Sequence, residues 1–216
     1  MRLCIIASLF LTFVFFPLSV DAWDWGNSNN FFLKKKIDDR WSFVTRSLVV
    51  SRDDMSDVFF GIVDGGLRYA WFDSFSTDIV YRGAWFETNS GWAYENRPLV
   101  NLNVNDQWQG YKLSHRSRFE FRIFNDQRKD DIRYRSEFRI ITPYQITKYN
   151  FTPYIEEEFF YSFNEEQINM NWLSGGLRYK VNKNTILKVG YRWQTQKLSG
   201  TWNDRNVLVT GLLLFF

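Results

Sequence analysis

Long segments of the chain alternate between apolar and polar residues with a period of two, which is the side-chain periodicity of a β-strand. In the segment 111–124 the odd-numbered residues are mostly apolar, and the even-numbered residues are mostly charged or polar. The segments 131–142, 185–197 and 98–105 repeat this pattern. Because successive strand residues point to opposite faces, the pattern predicts an all-β protein whose strands have one apolar and one polar face.

Breaks in the alternation divide the chain into eleven predicted strands, near residues 31–37, 41–51, 58–71, 75–87, 97–105, 111–124, 131–142, 150–163, 168–181, 185–197 and 205–216. Most of these segments are about 10–14 residues long. Strands in globular proteins are usually about 5–6 residues long, whereas a tilted membrane-spanning strand needs about 9–11 residues. The lengths therefore favour a membrane barrel.

The predicted connections between the strands alternate in character. Short connections lie at 38–39, 72–74, 106–110, around Pro143 and at 182–184. Longer or more polar connections lie at 52–57, 88–96, 125–130 and 198–204. Short turns at one end and longer loops at the other are typical of bacterial outer-membrane barrels, in which the short turns are periplasmic.

Alternation also occurs in soluble β-sandwiches and lipocalin-like barrels, but there the apolar face points inward. Two features favour the membrane barrel. Tryptophans lie near predicted strand ends, where membrane-interface girdles occur; they are Trp41, Trp71, Trp85, Trp108, Trp193 and Trp202. The chain also ends in an apolar strand, in which Gly211, Leu214 and Phe216 resemble the assembly signal of outer-membrane barrels.

Single-chain bacterial barrels have even numbers of strands, so eleven predicted strands leave the count open. Either residues 23–30 supply a twelfth strand, or the N-terminal part lies inside the lumen of a ten-stranded barrel. We favour twelve strands. The predicted fold is therefore an all-β, antiparallel transmembrane β-barrel of 10–12 strands with short periplasmic turns and a charged lumen.

The first residues of the chain predict secretion. After a basic start comes the apolar stretch Leu3–Val20, followed by a small-residue site that ends at Ala22, and signal peptidase reads this arrangement. An uncleaved transmembrane anchor is the alternative, because the stretch is long enough to span a bilayer. Pro17 and the cleavage-like site favour a cleaved signal peptide over 1–22. Residues 23–216 are then predicted to form a barrel in the outer membrane of a Gram-negative bacterium.

The composition excludes several other classes of protein. Aromatic residues make up 20% of the chain, so it has too much surface to bury for a disordered chain. A single cysteine, Cys4, excludes a disulfide scaffold and a cysteine-based zinc site. The net charge of +3 is too small to indicate a nucleic-acid partner. We predict no metal, no cofactor and no catalytic residue.

The charged faces of the strands are predicted to line the lumen. If paired residue numbers in the 111–142 hairpin sum to 255, Arg118 faces Glu137, Glu120 faces Arg135, and Arg116 faces Arg139. The predicted lumen ladder comprises Arg116, Arg118, Glu120, Arg122, Arg133, Arg135, Glu137, Arg139, Glu156, Glu158, Arg178, Lys188 and Arg192. Such a mixture either fills the lumen as a salt-bridged plug or forms a narrow, net-basic pore that attracts anions.

Several spaced patterns resemble a known family of unknown function, DUF2490. They are Leu113–Arg122 (LSHRSRFEFR), Arg133–Arg139 (RYRSEFR), Pro153–Phe160 (PYIEEEFF), Gly176–Tyr179 (GLRY) and Asn182–Asn184 (NKN). The resemblance covers roughly residues 31–216 and implies an outer-membrane barrel, without an established activity. More loosely, in size and in its basic lumen, the chain resembles small monomeric porins for acidic oligosaccharides.

Three functions remain open: a narrow passive channel for small anionic solutes, a plugged barrel that acts through loops and partners, and a lipid hydrolase. The hydrolase would use His115 and Ser117, which lie on one face two residues apart. We predict that the chain is not an enzyme, because no acidic or amide side chain that could orient His115 is evident on that face of the next strand. Expected partners are outer-membrane lipid and, through the C-terminal strand, the barrel-assembly machinery.

Overall fold

The computed structural model describes residues 25–146, 150–198 and 200–216. These residues form eleven β-strands: β1 (Trp25–Lys36), β2 (Trp41–Arg52), β3 (Asp57–Phe72), β4 (Phe75–Thr88), β5 (Gly91–Trp108), β6 (Tyr111–Phe124), β7 (Asp131–Ile141), β8 (Phe151–Ser162), β9 (Gln167–Lys180), β10 (Thr185–Leu198) and β11 (Thr201–Phe215). Across these described ranges there is no helix with the length and apolar character needed to cross a membrane. The predicted signal peptide at 1–22 lies outside the described residues.

The eleven strands close into one barrel in chain order. Consecutive strands are antiparallel, and β1 closes the barrel by pairing with β11. Because the number of strands is odd, β1 and β11 run in the same direction, and their pairing is parallel from Trp25 opposite Asn206 to Lys34 opposite Phe215. The closed barrel leaves no sheet edge, so the backbone groups of both terminal strands find partners.

The strand count corrects the favoured value of twelve. Residues 25–30 are neither a separate strand nor a segment inside the lumen, because they form the first half of β1. Asn27, for example, lies opposite Ser51 of β2 and Leu208 of β11. The polar run 27–30 interrupts the apolar alternation, which hid its continuity with the strand that follows. Within the described residues the barrel therefore has eleven strands.

The predicted difference between short turns and longer loops is also wrong. Residues 88–96 were expected to form a loop, but β4 continues to Thr88 and β5 begins at Gly91. Their polar composition reflects the lumen rather than a loop, since Glu95 is completely buried inside the barrel. The longest separation between consecutive strands lies between Ile141 and Phe151, at the end for which short turns were predicted.

The β1–β2 turn shows how a short connection is held. The carboxylate of Asp38 accepts hydrogen bonds from the backbone N–H groups of Trp41 at 2.7 Å and of Arg40 at 2.8 Å. Aspartate is favoured in turns because its side chain can bond to nearby backbone groups in this way. The bond from Trp41, followed by that from Arg40, lowers the pKa of the exposed Asp38 carboxyl.

The alternation of the strands gives the barrel two different surfaces. Inside the lumen, Val44, Val80 and Leu99 form a small apolar cluster against which Phe32 packs. The inward residues of β6, β7 and β8 are mostly arginine and glutamate. The lumen therefore contains a small apolar cluster and a larger charged surface; we call the charged surface the charged wall, and it is the candidate site.

Candidate functional site

Glu120 of β6 is the centre of the charged wall. Its carboxylate lies within ion-pair distance of five guanidinium groups: Arg133 at 2.6 Å, Arg135 at 3.0 Å, Arg118 at 3.3 Å, Arg82 at 3.4 Å and Arg97 at 3.6 Å. We call these six residues the Glu120 cluster. Burying an unpaired charge costs several kcal/mol, so the surrounding cations are what allow Glu120 to be 0% exposed.

Further carboxylates connect the Glu120 cluster to its neighbours in the lumen. The ion pairs are Arg82–Asp64 at 2.5 Å, Arg97–Glu95 at 2.7 Å, Arg122–Glu95 at 2.9 Å and Arg135–Glu158 at 2.7 Å. Strands β3 to β8 each contribute to this network. Charge-assisted hydrogen bonds of this kind fix both partners in space, because arginine presents its donors in a rigid fork.

A second group of charges lies beside Glu158, toward the end of the barrel where β11 ends. Its ion pairs are Arg116–Glu137, Arg116–Glu158 at 3.2 Å, Arg139–Glu137 at 2.7 Å, Arg139–Glu156 at 2.9 Å and Lys188–Glu156 at 2.8 Å. Arg178 lies directly opposite Lys188 in the sheet. Arg192 donates to Ser174 at 3.2 Å and stacks 4.1 Å above the ring of Trp172. Basic groups thus outnumber carboxylates here.

The observed register of the β6–β7 hairpin differs from the predicted one by two residues. Arg116 lies opposite Glu137, Arg118 opposite Arg135, and Glu120 opposite Arg133. The faces are unchanged, because a shift of two residues keeps every side chain on the same side of the sheet. The shift puts two arginines directly opposite each other, and the carboxylate of Glu120, in contact with both, offsets their repulsion.

The side chains of the Glu120 cluster are packed closely together inside the barrel. Arg82 and Arg118 are each 2% exposed, and the other members are buried as well. Beside the apolar cluster lies a cavity of about 30 Å³, lined by Arg46, Arg82, Arg116 and Arg118 among others. A cavity of that size holds a water molecule or two. The Glu120 cluster and its neighbours therefore leave little free volume between their side chains.

Sequence reasoning missed part of the network. The sequence predicts a loop at Glu95 and the start of a strand at Arg97, but both residues lie within β5. Arg97 is a member of the Glu120 cluster, and Glu95 pairs with it. The period-two spacing of a strand does continue through this segment: Glu95, Arg97 and Leu99 fall on one face, and Asn96 and Pro98 fall on the other. Pro98 and the polar residues before it masked that alternation.

The outer surface of the barrel is largely apolar and exposed. Val63, Leu67, Ile79, Leu187 and Val189, for example, all point away from the lumen and are exposed. Aromatic pairs lie toward both ends of this surface, at ring-centroid distances of 4.9 Å for Trp41–Tyr69, 4.8 Å for Tyr69–Trp71, 5.2 Å for Trp85–Tyr94 and 6.0 Å for Trp25–Tyr191. The surface therefore has an apolar belt with aromatic residues at its rims.

His115 and Ser117 both lie on the outward face of β6, but they do not bond to each other. His115 Nε2 is 2.9 Å from Ser136 Oγ, and its ring stacks on Phe138 at 4.2 Å. The hydroxyl of Ser117 is instead 3.0 Å from the hydroxyl of Tyr134. Within the described ranges, no group of three or more His, Cys, Asp or Glu side chains is placed to hold a metal ion.

The C-terminal residues form the seam of the barrel. Gly211 lies opposite Lys188 of β10 and Asn30 of β1. Leu214 lies opposite Leu33. The backbone of Phe216 makes two hydrogen bonds to β1: its carbonyl oxygen accepts from Lys36 N at 2.6 Å, and its N–H donates to Lys34 O at 2.9 Å. The side chain of Phe216 is exposed. The residues of the predicted assembly signal therefore help to close the barrel.

A closed, all-β barrel with a charged lumen is a porin-like fold. Among solved structures, the chain is similar to the NanC porin in a rhombohedral crystal form, with a TM-score of 0.50 and 12% sequence identity, covering 82% of this chain and 89% of that chain. At this identity the similarity concerns the fold alone. A search of curated proteins finds no match.

The family model for DUF2490, described as a protein of unknown function, matches residues 25–205. The chain belongs to this family, which confirms the resemblance seen in the sequence.

Proposed function

We propose that the chain is an outer-membrane β-barrel that faces lipid with its apolar belt and whose lumen is closed by the Glu120 cluster. Soluble monomers rarely expose apolar patches larger than a few hundred Å². Here exposed apolar residues such as Val63 on β3, Ile79 on β4 and Val189 on β10 surround the barrel. Outer-membrane barrels have such a belt, with aromatic girdles at both rims. A signal peptide over 1–22 would direct the chain through the inner membrane.

Fluorescence quenching tests the membrane location. The chain from residue 23 is refolded into vesicles whose acyl chains carry bromine, and its tryptophan fluorescence is measured. Trp85 is exposed on the outer surface, whereas Trp172 lies inside the lumen against Phe160 at 4.7 Å. We therefore expect Trp85→Phe to remove a quenched component, and Trp172→Phe to remove an unquenched one. If the components from Trp85 and Trp172 are quenched equally, the proposal is contradicted. It is also contradicted if the folded chain stays in solution without lipid.

The complete burial of Glu120 is the observation that carries the proposed closure. Five arginines contact this carboxylate from strands β4 to β7, so the cluster joins four adjacent strands through side chains that extend into the lumen. A barrel filled in this way acts through its two ends and its partners, rather than as an open pore. A refolded barrel of this kind is expected to be silent in a planar bilayer.

A narrow passage for small anionic solutes is the second candidate. The excess of basic groups near Arg178, Lys188 and Arg192 favours it, since clustered positive charge attracts anions. Passage would require the side chains of the Glu120 cluster to rearrange. A closed resting state and occasional opening would then appear as rare, anion-selective conductance steps.

The proposed partners follow from the same architecture. Outer-membrane lipid would cover the apolar belt. The barrel-assembly machinery would bind the C-terminal strand through the pattern that Gly211, Leu214 and Phe216 form, before β11 pairs with β1. We do not propose catalysis, because the hydroxyl near His115 belongs to Ser136, which is only 3% exposed and therefore poorly placed to attack a substrate.

A further inference from the structure

Polar side chains interrupt the apolar belt on the outward faces of β6 to β9, and one of them is the carboxylate of Glu157. We call this group the belt patch; it consists of His115, Ser117, Ser136, Glu157 and Asn171. Apolar residues flank it along β6, β7 and β8: Leu113 and Phe119 on β6, Tyr134 and Phe138 on β7, and Ile155 and Phe159 on β8. On β6 and β7, Ser117 lies opposite Ser136, and His115 contacts Ser136. On β8 and β9, Asn171 contacts Glu157, and Phe138 of β7 lies between His115 and Glu157 in the sheet.

The belt patch carries a partly buried carboxylate and several groups that can donate hydrogen bonds. Asn171 Nδ2 donates to Glu157 Oε1 at 3.2 Å. Inside the barrel, by contrast, carboxylates such as Glu156 are paired with cations. A polar or ionisable side chain facing lipid is unfavourable, and in membrane proteins it usually faces protein or water instead. The position of Glu157 therefore indicates that something other than acyl chains covers this part of the belt.

We infer that the belt patch is the surface on which a second copy of this chain docks, side by side in the membrane. The inference rests on the proposed membrane location. His115 and Ser117 lie on β6 and Glu157 lies on β8, with β7 between them, so donors and acceptor are separated by about 10 Å. A two-fold axis along the membrane normal through β7 places β6 of each copy opposite β8 of the other.

This symmetry makes the belt patch complementary to itself. In the dimer, His115 and Ser117 of one copy face Glu157 of the other copy. The two-fold axis repeats this contact, so it occurs twice. Two-fold contacts of this kind are the commonest in oligomers, because one surface serves both copies and the assembly closes.

The mass of the refolded chain in detergent micelles, measured by light scattering across a concentration series, tests the docking. We expect a dimer, and we expect Glu157→Leu to raise the dimer dissociation constant by roughly tenfold or more. Ser47→Leu is the matched control, since Ser47 is also a polar residue on the outward face but lies on β2. It should leave the dissociation constant unchanged. Glu157→Gln is the second variant if Glu157→Leu does not refold.

The outcomes separate this inference from the proposed function. A chain that inserts into vesicles by the quenching measurement but remains a monomer overturns the docking alone. A dimer that neither Glu157 variant weakens overturns the belt patch as its interface. A chain that needs no lipid or detergent overturns the membrane location, and the docking with it.

Discussion

Replacing Glu120 with alanine is expected to lower the free energy of unfolding by about 3–5 kcal/mol, the usual effect of removing one partner from a buried ion-pair network. The substitution leaves five guanidinium groups facing one another without the carboxylate they share. Asp64, Glu95 and Glu158 still neutralise some of them. Denaturant unfolding of the refolded chain, followed by tryptophan fluorescence, measures the change.

Glu165 provides the control for this substitution. It is an exposed glutamate between β8 and β9 that accepts hydrogen bonds from Gln167 at 3.2 Å and Asn169 at 3.1 Å. Its replacement by alanine should change the free energy of unfolding by no more than about 0.5 kcal/mol. A Glu120→Ala loss no larger than that of the control would contradict the central role of the cluster.

Removing two long side chains from the cluster is expected to open the lumen. In the double variant Arg133→Ala and Arg135→Ala, Glu120 keeps contacts with Arg82, Arg97 and Arg118. The variant therefore loses bulk at the closure while the carboxylate remains paired. We expect discrete conductance steps in a planar bilayer. With a salt gradient, the reversal potential should indicate anion selectivity, since the lumen retains its excess of basic groups.

Arg128→Ala is the matched control for the double variant. Arg128 lies between β6 and β7 and pairs with Asp126 at 2.7 Å, outside the lumen closure. Its guanidinium lowers the pKa of the Asp126 carboxyl. Like the double variant, the control therefore removes an arginine that is paired with a carboxylate. It should leave the conductance at the level of the unmodified chain. A double variant that refolds and is equally silent would show that other side chains close the lumen.

Periodicity predicted the class of fold and the inward face of the strands because both depend on local sequence. The alternation along 111–124 and 131–142 needs no long-range information to assign a face to Arg118 or Glu137. Register depends on the geometry of the turn at 125–130, which composition does not reveal. The predicted pairing was therefore wrong by two residues, although the side chains concerned do lie on one face.

The remaining errors have two physical causes. A lumen accepts polar residues that would otherwise mark a loop, so residues around Glu95 and the run 27–30 were excluded from strands to which they belong. Closure by parallel pairing of β1 with β11 could not be predicted either, because it depends on contacts between the two ends of the chain. The complete burial of Glu120 likewise arises from arginines on four different strands.

The conductance of the unmodified chain, refolded from residue 23 and inserted into a planar bilayer, tests the central claim most directly. The account predicts no steps above the bare bilayer apart from rare openings, with circular dichroism showing a folded β-barrel in the same preparation. A steady open conductance would contradict closure by the Glu120 cluster and would establish the lumen as a permanent pathway.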